Sequence, residues 1–438
     1  MTREAIKRDE FRTPVSPNGI KFVQVTSREK QTSWLEELYV AKWTPDSTKF
    51  VIRREAADDN SAPNGMWICD TEDNFKISPI VEFPEGYNHG CLEKQGKGEN
   101  LGALILPDGS GLVHVHHVGD IFEVRKTTLD GSHTKVILTS PATIACRWMS
   151  QSADSERIAF GVFLGDGKTE GAPWAIRILD IKNMKWWDIE MGNQCRRVPG
   201  QYTYMADPAH SHYIVTGRPS EKLSDGSWLT PPDGSWRWQN MPPAGGPGCS
   251  LVYHDITGEW GIIPLGNNGS HISSHSTWRG ENFSYVASMY HTGEGFWRAP
   301  FIEAAPYKCG PEHYCDGHNA PGSKQIDLSR YTCRADACHF GFDKAGKHIV
   351  SDTDGYVYPG PNLLYVATYV EAENDDPYVK TKLLGITRTS WRWKPNVQAS
   401  HPHPNLSPDG KYAIFQSDFF DRPQVFVAYN FEFPEEDV

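Results

Sequence analysis

The residues best suited to chemistry stand in one short run, Gln398-Ala399-Ser400-His401-Pro402-His403-Pro404. Strand residues two apart point the same way, and each proline favours extended backbone in the residue before it. An extended run would therefore aim His401 and His403 at one point, with the side-chain oxygen of Gln398 in reach. Two imidazoles and an amide oxygen make a borderline metal site with room for further ligands. The plainer reading is a polar loop with two surface histidines. The segment that follows, 405–418, reads as a tight turn leading into a strand, so the histidines need a scaffold that presents them where a strand begins.

That turn recurs along the chain. Segments starting at 41 (AKWTPDSTKFVI), 104 (LILPDGSGLVHV), 149 (MSQSADSERIAF), 205 (MADPAHSHYIV), 276 (STWRGENFSYVA), 340 (FGFDKAGKHIV) and 405 (NLSPDGKYAIF) all read strand, turn, strand. Proline presets φ for the first central position of such a turn, and Asp or Gly serves the next. The starts are 45 to 71 residues apart, against roughly 40–50 for a four-stranded blade, which leaves room for long loops. Seven copies in a turn-rich chain predict an all-β, seven-bladed β-propeller. It should form a single domain over residues 1–438, with insertions at about 218–249 and 306–335.

Composition agrees. The 438 residues include 39 Gly and 31 Pro, which suits many turns, and the formal net charge is −12. No basic stripe stands out, which argues against a nucleic-acid partner. An anionic ligand would need a local Arg, Lys or metal. No run of 18 apolar residues exists, so no membrane-spanning helix is expected. The N-terminus lacks the apolar stretch of a secretory signal, so a cytoplasmic location is expected.

Two further histidines fall in register with His403. His339, in Asp336-Ala337-Cys338-His339, precedes the sixth turn, and His275, in Ser274-His275-Ser276, precedes the fifth. Equivalent positions of neighbouring blades face the central axis. His275, His339, Gln398, His401 and His403, from three blades, are thus expected at one rim. His271 is a weaker alternative to His275. His114, His116 and His117 fall after their turn, inside a strand, and read as wall or core residues. Cys309, Cys315, Cys333 and Cys338 cluster near His313 and His318 and could hold zinc or form disulfides. Their C-x5-C and C-x4-C spacings are looser than the usual C-x2-C and favour unbridged thiols. The tryptophans of the repeated D-G-S-W in 218–249 could stack on a sugar or anchor a long loop.

Over about 270–430 the chain resembles the oligogalacturonate lyases, propellers whose last blade carries Q-x-x-H-P-H-P followed by a P-D turn. Gln398, His401 and His403 fall in that motif, and Ser417, Asp418 and Pro423 continue it. Ala337-Cys338-His339 matches a further histidine segment with one residue less. Ser274-His275-Ser276-Thr277-Trp278 matches T-H-E-F-W, and Thr389-Ser390-Trp391 matches a T-S-W. The resemblance implies that Gln398, His339, His401 and His403 bind Mn²⁺ or a similar divalent ion, and that His275 is the general base. It implies β-elimination on an acidic, uronate-containing oligosaccharide, leaving a 4,5-unsaturated end. The chemistry is sound, because the C5 proton lies α to a carboxylate. A cation on that carboxylate steadies the enolate-like state, and a neutral histidine can take the proton.

The chain also departs from the family. Ser276 and Thr277 replace Glu and Phe, and neither the V-D-x-R-x-W segment nor the His-Arg-Asn-Tyr run is found. Arg218 and Arg237 are positional candidates for the substrate arginine. A lyase for a different uronate glycan is one alternative, and a non-catalytic TolB-like interaction propeller is another. A peptidase is set aside for want of G-x-S-x-G.

Overall fold

Seven hairpins share one closure, in which the amide of the first turn residue donates to the carbonyl of the last. The pairs are Thr44–Lys49, Leu106–Gly111, Ser152–Arg157, Thr203–Tyr213, Arg279–Ser284, Asp343–His348 and Ser407–Tyr412, all at 2.8–3.0 Å. These are the seven turns expected from the sequence. In five of them the fourth residue is left-handed, namely Ser47, Gly109, Ser155, Gly346 and Gly410, with φ of 62–74°. Asp46, Asp108, Asp154 and Asp409 each accept the amide two residues on, at 2.9–3.2 Å. This is the local bond that makes Asp a turn residue.

The computed structural model describes residues 5–27, 30–35, 41–55, 58, 63–83, 102–143, 145–164, 174–190, 200–215, 250–265, 270–291, 297–310, 320–329, 332, 337–353, 362–394 and 397–435. Six blades are four-stranded sheets whose neighbouring strands follow chain order, beginning at Ser33–Trp34, Ala103–Ile105, Ala145–Gln151, Gln201–Tyr202, Ser270–Trp278 and Phe340–Phe342. Every recorded strand pairing is antiparallel. The seventh blade draws on both chain regions. Asn405–Leu406, Tyr412–Ser417 and Gln424–Tyr429 are extended by Lys21–Gln24 and then Ile6–Lys7. Each turn joins the first strand of its blade, which lines the axis beside the first strands of its neighbours, to the second. The fold is the expected seven-bladed β-propeller. Among the described residues no helix is long and apolar enough to cross a membrane.

Seven apolar clusters fill the seven seams between blades. Val51, Met66 and Ile68 meet Ala103, Ile105 and Leu112 between the first and second blades, while Val350 and Leu364 meet Phe415 and Phe426 between the sixth and seventh. The turns are also stitched to one another. Glu281 N donates to Lys344 O at 2.9 Å, Lys344 N to Pro408 O at 3.0 Å, and Asp409 N to Ser47 Oγ at 3.0 Å. The approach is close enough that a Cβ on Gly280 would fall 2.4 Å from the Gly346 amide. Gly280 also has a φ of 52°, so its glycine is required twice over.

Phe11 clamps the closing blade. It is fully buried, edge-on to Phe415 at 5.3 Å and to Phe426 at 4.8 Å. Phe11→Ala should cost about 3–5 kcal/mol, read as a lower urea midpoint, with the N-terminal strands becoming the first part cut by protease.

Candidate metal centre

His275, His339 and His403 each stand four residues before the residue that opens their turn, Arg279, Asp343 and Ser407. Because those turns are stitched together, the three positions lie at one depth, four residues back along the chain from each turn. His339, His401 and His403 are buried, and each brings a ligand atom to within 4.8 Å of the others. Their ring centroids are 4.4 Å (His339–His403), 5.5 Å (His339–His401) and 5.7 Å (His401–His403) apart. His275 arrives from the fifth blade, half-buried, its ring 4.3 Å from that of His339.

The run 398–404 is not the extended segment expected of it. Val397–Ser400 is a 3₁₀ turn, with His401 N donating to Gln398 O at 3.2 Å. His403 has a φ of 42°. His401 and His403 therefore converge through a left-handed residue and not through strand alternation. An L-residue pays about 1–2 kcal/mol for that backbone, and the following proline restricts it further. The surroundings hold it there, as strained residues at functional sites are held. Gln398 stands on the same 3₁₀ turn, half-buried, with its backbone carbonyl taken by Gln416 Nε2 at 2.8 Å.

Each histidine has its own support. His339 Nδ1 lies 2.8 Å from Asp352 Oδ2, and its backbone amide donates to Asp352 Oδ1 at 2.6 Å. A carboxylate at Nδ1 places the ring proton there and leaves the Nε2 lone pair toward the cluster, while raising its basicity as a ligand. Gln416 faces His403 Nδ1 at 3.5 Å, the outer limit of a hydrogen bond, and accepts the Leu35 amide. Asp352 and Gln416 occupy the same place in their blades, four residues past His348 and Tyr412. Buried Ser288 is their counterpart in the fifth blade. His401 is covered by Trp391, whose ring lies 4.3 Å away and tilted 31°. The tryptophan's loop is fastened by Asp418, which accepts from Ser390 N at 2.7 Å and Thr389 Oγ1 at 3.0 Å. The T-S-W and S-D segments picked out in the sequence thus form one support.

The cluster fits a cation. His403 Nε2 is buried and has no hydrogen-bond partner, a state that costs roughly 1–3 kcal/mol and that a shared metal ion would relieve. Burial, followed by His339, His401 and then Lys42, holds the His403 pKa well below its ordinary value. The ring is therefore neutral at neutral pH, the form that ligates metals.

Other expected residues fare differently. Arg218, Arg237 and the tryptophans of 218–249 lie outside the described residues, as do Cys315, Cys333, His313, His318 and the side chain of His271. Cys309 packs against the Ile262 cluster, whereas Cys338 turns to the axis, so the described members of the cysteine group part ways. His114 and His116 are buried wall residues, bonded to each other at 2.6 Å. Sequence reasoning missed Asp352, Gln416 and the buried Lys42. The one legible signal was Lys42 itself, a charge between Ala41 and Trp43 just ahead of a blade turn.

A closed seven-bladed propeller with a histidine cluster at its axis, supplied by the last three blades, is the class these features define. No family model matches the sequence, and no curated protein matches it by sequence comparison. Solved structures do share the fold. An oligogalacturonate lyase in complex with manganese superposes with a TM-score of 0.66 at 16% identity, over 99% of this chain and 98% of that one. An oligogalacturonate lyase from Vibrio parahaemolyticus gives 0.64 at 15% identity, over 98% and 99%. A TolB from Acinetobacter baumannii gives 0.36 at 11% identity, over 83% and 68%.

Two outcomes are expected at the cluster. Asp352→Asn should weaken divalent-cation binding by about 10–100-fold in a calorimetric titration, with the fold retained. Both His403→Ala and His403→Gly should lose the cation. Because only glycine takes positive φ freely, the metal-free Gly variant should be the more stable of the two by about 1 kcal/mol, read from urea midpoints.

Proposed function

We propose that the protein is a metal-dependent lyase, carried on a single propeller domain, that cleaves uronate-containing oligosaccharides by β-elimination. One observation carries this reading: a half-exposed histidine, His275, stands against a buried three-histidine cluster at the axis of the propeller. The likeness to oligogalacturonate lyases along nearly the whole chain supports it and makes galacturonate chains the first substrate to try. In this reading His339, His401, His403 and the side-chain oxygen of Gln398 hold the cation. Manganese is the natural first candidate, given the complex named above. A divalent cation held there supplies Lewis acidity toward the substrate carboxylate.

The chain's own residues do the rest. Asp352 keeps His339 in the tautomer that ligates. Lys42, buried and close enough to lower the proton affinity of His403, adds positive charge at the axis of a protein whose net charge is −12. His275, as general base, takes the C5 proton. The C5–H electron pair becomes the C4=C5 double bond, the C4–O4 bond breaks, and the departing oxygen takes a proton from solvent. Arg218 and Arg237 are the proposed partners of the substrate's further acidic groups.

The test is new ultraviolet absorbance from the conjugated 4,5-unsaturated uronate. It should appear with oligogalacturonate, vanish on chelation and return with Mn²⁺. His275→Ala should lower kcat by about 10²–10⁴-fold and leave KM and bound metal nearly unchanged. Loss of metal in that variant would make His275 a ligand. Absorbance only on glucuronate or iduronate glycans would keep the reaction and change the substrate. Absorbance on none of them, with the metal bound stoichiometrically, would overturn the proposal.

A further inference from the structure

Cys338 is not part of the three-histidine set, yet with His275 and His339 it converges on a second point. Its sulfur lies 3.5 Å from His275 Nδ1 and 4.0 Å from His339 Nε2. The three ligand atoms are all within 4.8 Å of one another. A tetrahedral zinc ion, with bonds of about 2.3 Å to sulfur and about 2.0–2.1 Å to nitrogen, holds two such donors about 3.6 Å apart. The two sulfur-to-nitrogen distances already stand within a few tenths of an ångström of that spacing. Cys338 and His339 are buried, and His275 is half-buried, which gives a cation a way in from one side.

His339 links the two sets. Its Nδ1 is held by Asp352 at 2.8 Å, which leaves Nε2 as the ligating atom. One lone pair serves one cation, so the ring can complete the set with His401 and His403 or the set with Cys338 and His275, but not both. The sets differ in chemistry as well. A thiolate selects soft ions such as zinc, whereas sites offering oxygen suit manganese or magnesium.

We propose that Cys338, His275 and His339 form a second site, selective for thiophilic divalent cations of the zinc or cadmium kind, whose filling excludes a cation from the three-histidine set. On binding, the Cys338 thiol gives its proton to solvent and its sulfur to the ion. His275 Nδ1 and His339 Nε2 each contribute a lone pair, and nothing is oxidised or reduced. If the lyase reading above holds, the same event takes both the base and a ligand of the working cation. Zinc would then be an inhibitor that substrate does not displace.

Metal-stripped protein titrated with Cd²⁺ tests the site without any turnover. A sulfur-to-cadmium charge-transfer band should rise to one equivalent, and the ion should displace preloaded Mn²⁺, counted by elemental analysis. Cys338→Ser should lose the band and still bind Mn²⁺. His401→Ala should keep the band while losing Mn²⁺. A band that survives in Cys338→Ser arises at another cysteine and overturns the proposal. So does a band lost in His401→Ala, since Cys338 would then be an extra ligand of the three-histidine set. Cd²⁺ and Mn²⁺ bound together overturn the exclusion. Where lyase turnover is measurable, the Zn²⁺ concentration for half-inhibition should rise roughly tenfold or more in Cys338→Ser, as loss of a ligand demands. Absence of turnover on every uronate would sink the lyase reading, and the cadmium band would still decide the site.

Discussion

Three hydrogen bonds at the turn face set the geometry at the axis. Glu281 to Lys344, Lys344 to Pro408 and Asp409 to Ser47 tie the turns of the fifth, sixth, seventh and first blades to one another. Fixing the turns fixes the depth of every residue counted back from them. A slip of one residue in the fifth blade would turn His275 to the other face of its sheet. The bare Cα atoms of Gly280 and Gly346 let the fifth and sixth turns approach closely enough for this to work. Precision at the cluster is thus set by hydrogen bonds between turns that involve none of its members.

The axis has a polarity unlike that of the whole protein. The chain carries a net charge of −12, yet the cluster is built of imidazoles, with that of His403 held neutral by burial and with buried Lys42 near enough to bear on it. Among the facing residues on the second strands, only the sixth blade supplies a carboxylate, Asp352, where the fifth has Ser288 and the seventh Gln416. His339 is therefore the one ligand of the set whose outer nitrogen is held by a carboxylate.

How much could be read in the sequence follows from the range of the interactions. Turn chemistry is local, so Pro-Asp-Gly and its variants gave the number of blades and the register of His275, His339 and His403. The proline rule is also local, and it misread 398–404. Packing by Trp391, together with the contacts of Gln416, holds a conformation that the isolated peptide would avoid. Asp352 and Gln416 act across strands, and their importance appears only once the pairing is known. The resemblance to oligogalacturonate lyases is read from the short segments that carry His275, His339, Trp391, His401 and His403, while identity along the whole chain to one such lyase structure is only 16%.

The closing blade takes its outer strands from residues 6–24 and its inner ones from residues 405–429. His401 and His403 lie at the start of that blade, and His339 in the one before it. A chain emerging from its N-terminus therefore holds its first two strands, paired only with each other, without their sheet partner until nearly all the rest has been made. Only when they return to the C-terminal strands is the sheet of the closing blade complete. A cation bridging His339 and His403 would act as a clasp between the sixth blade and this closing blade. Its binding free energy would add to the docking of the two blades, and a closing blade lifted from its neighbour would have let go of the metal.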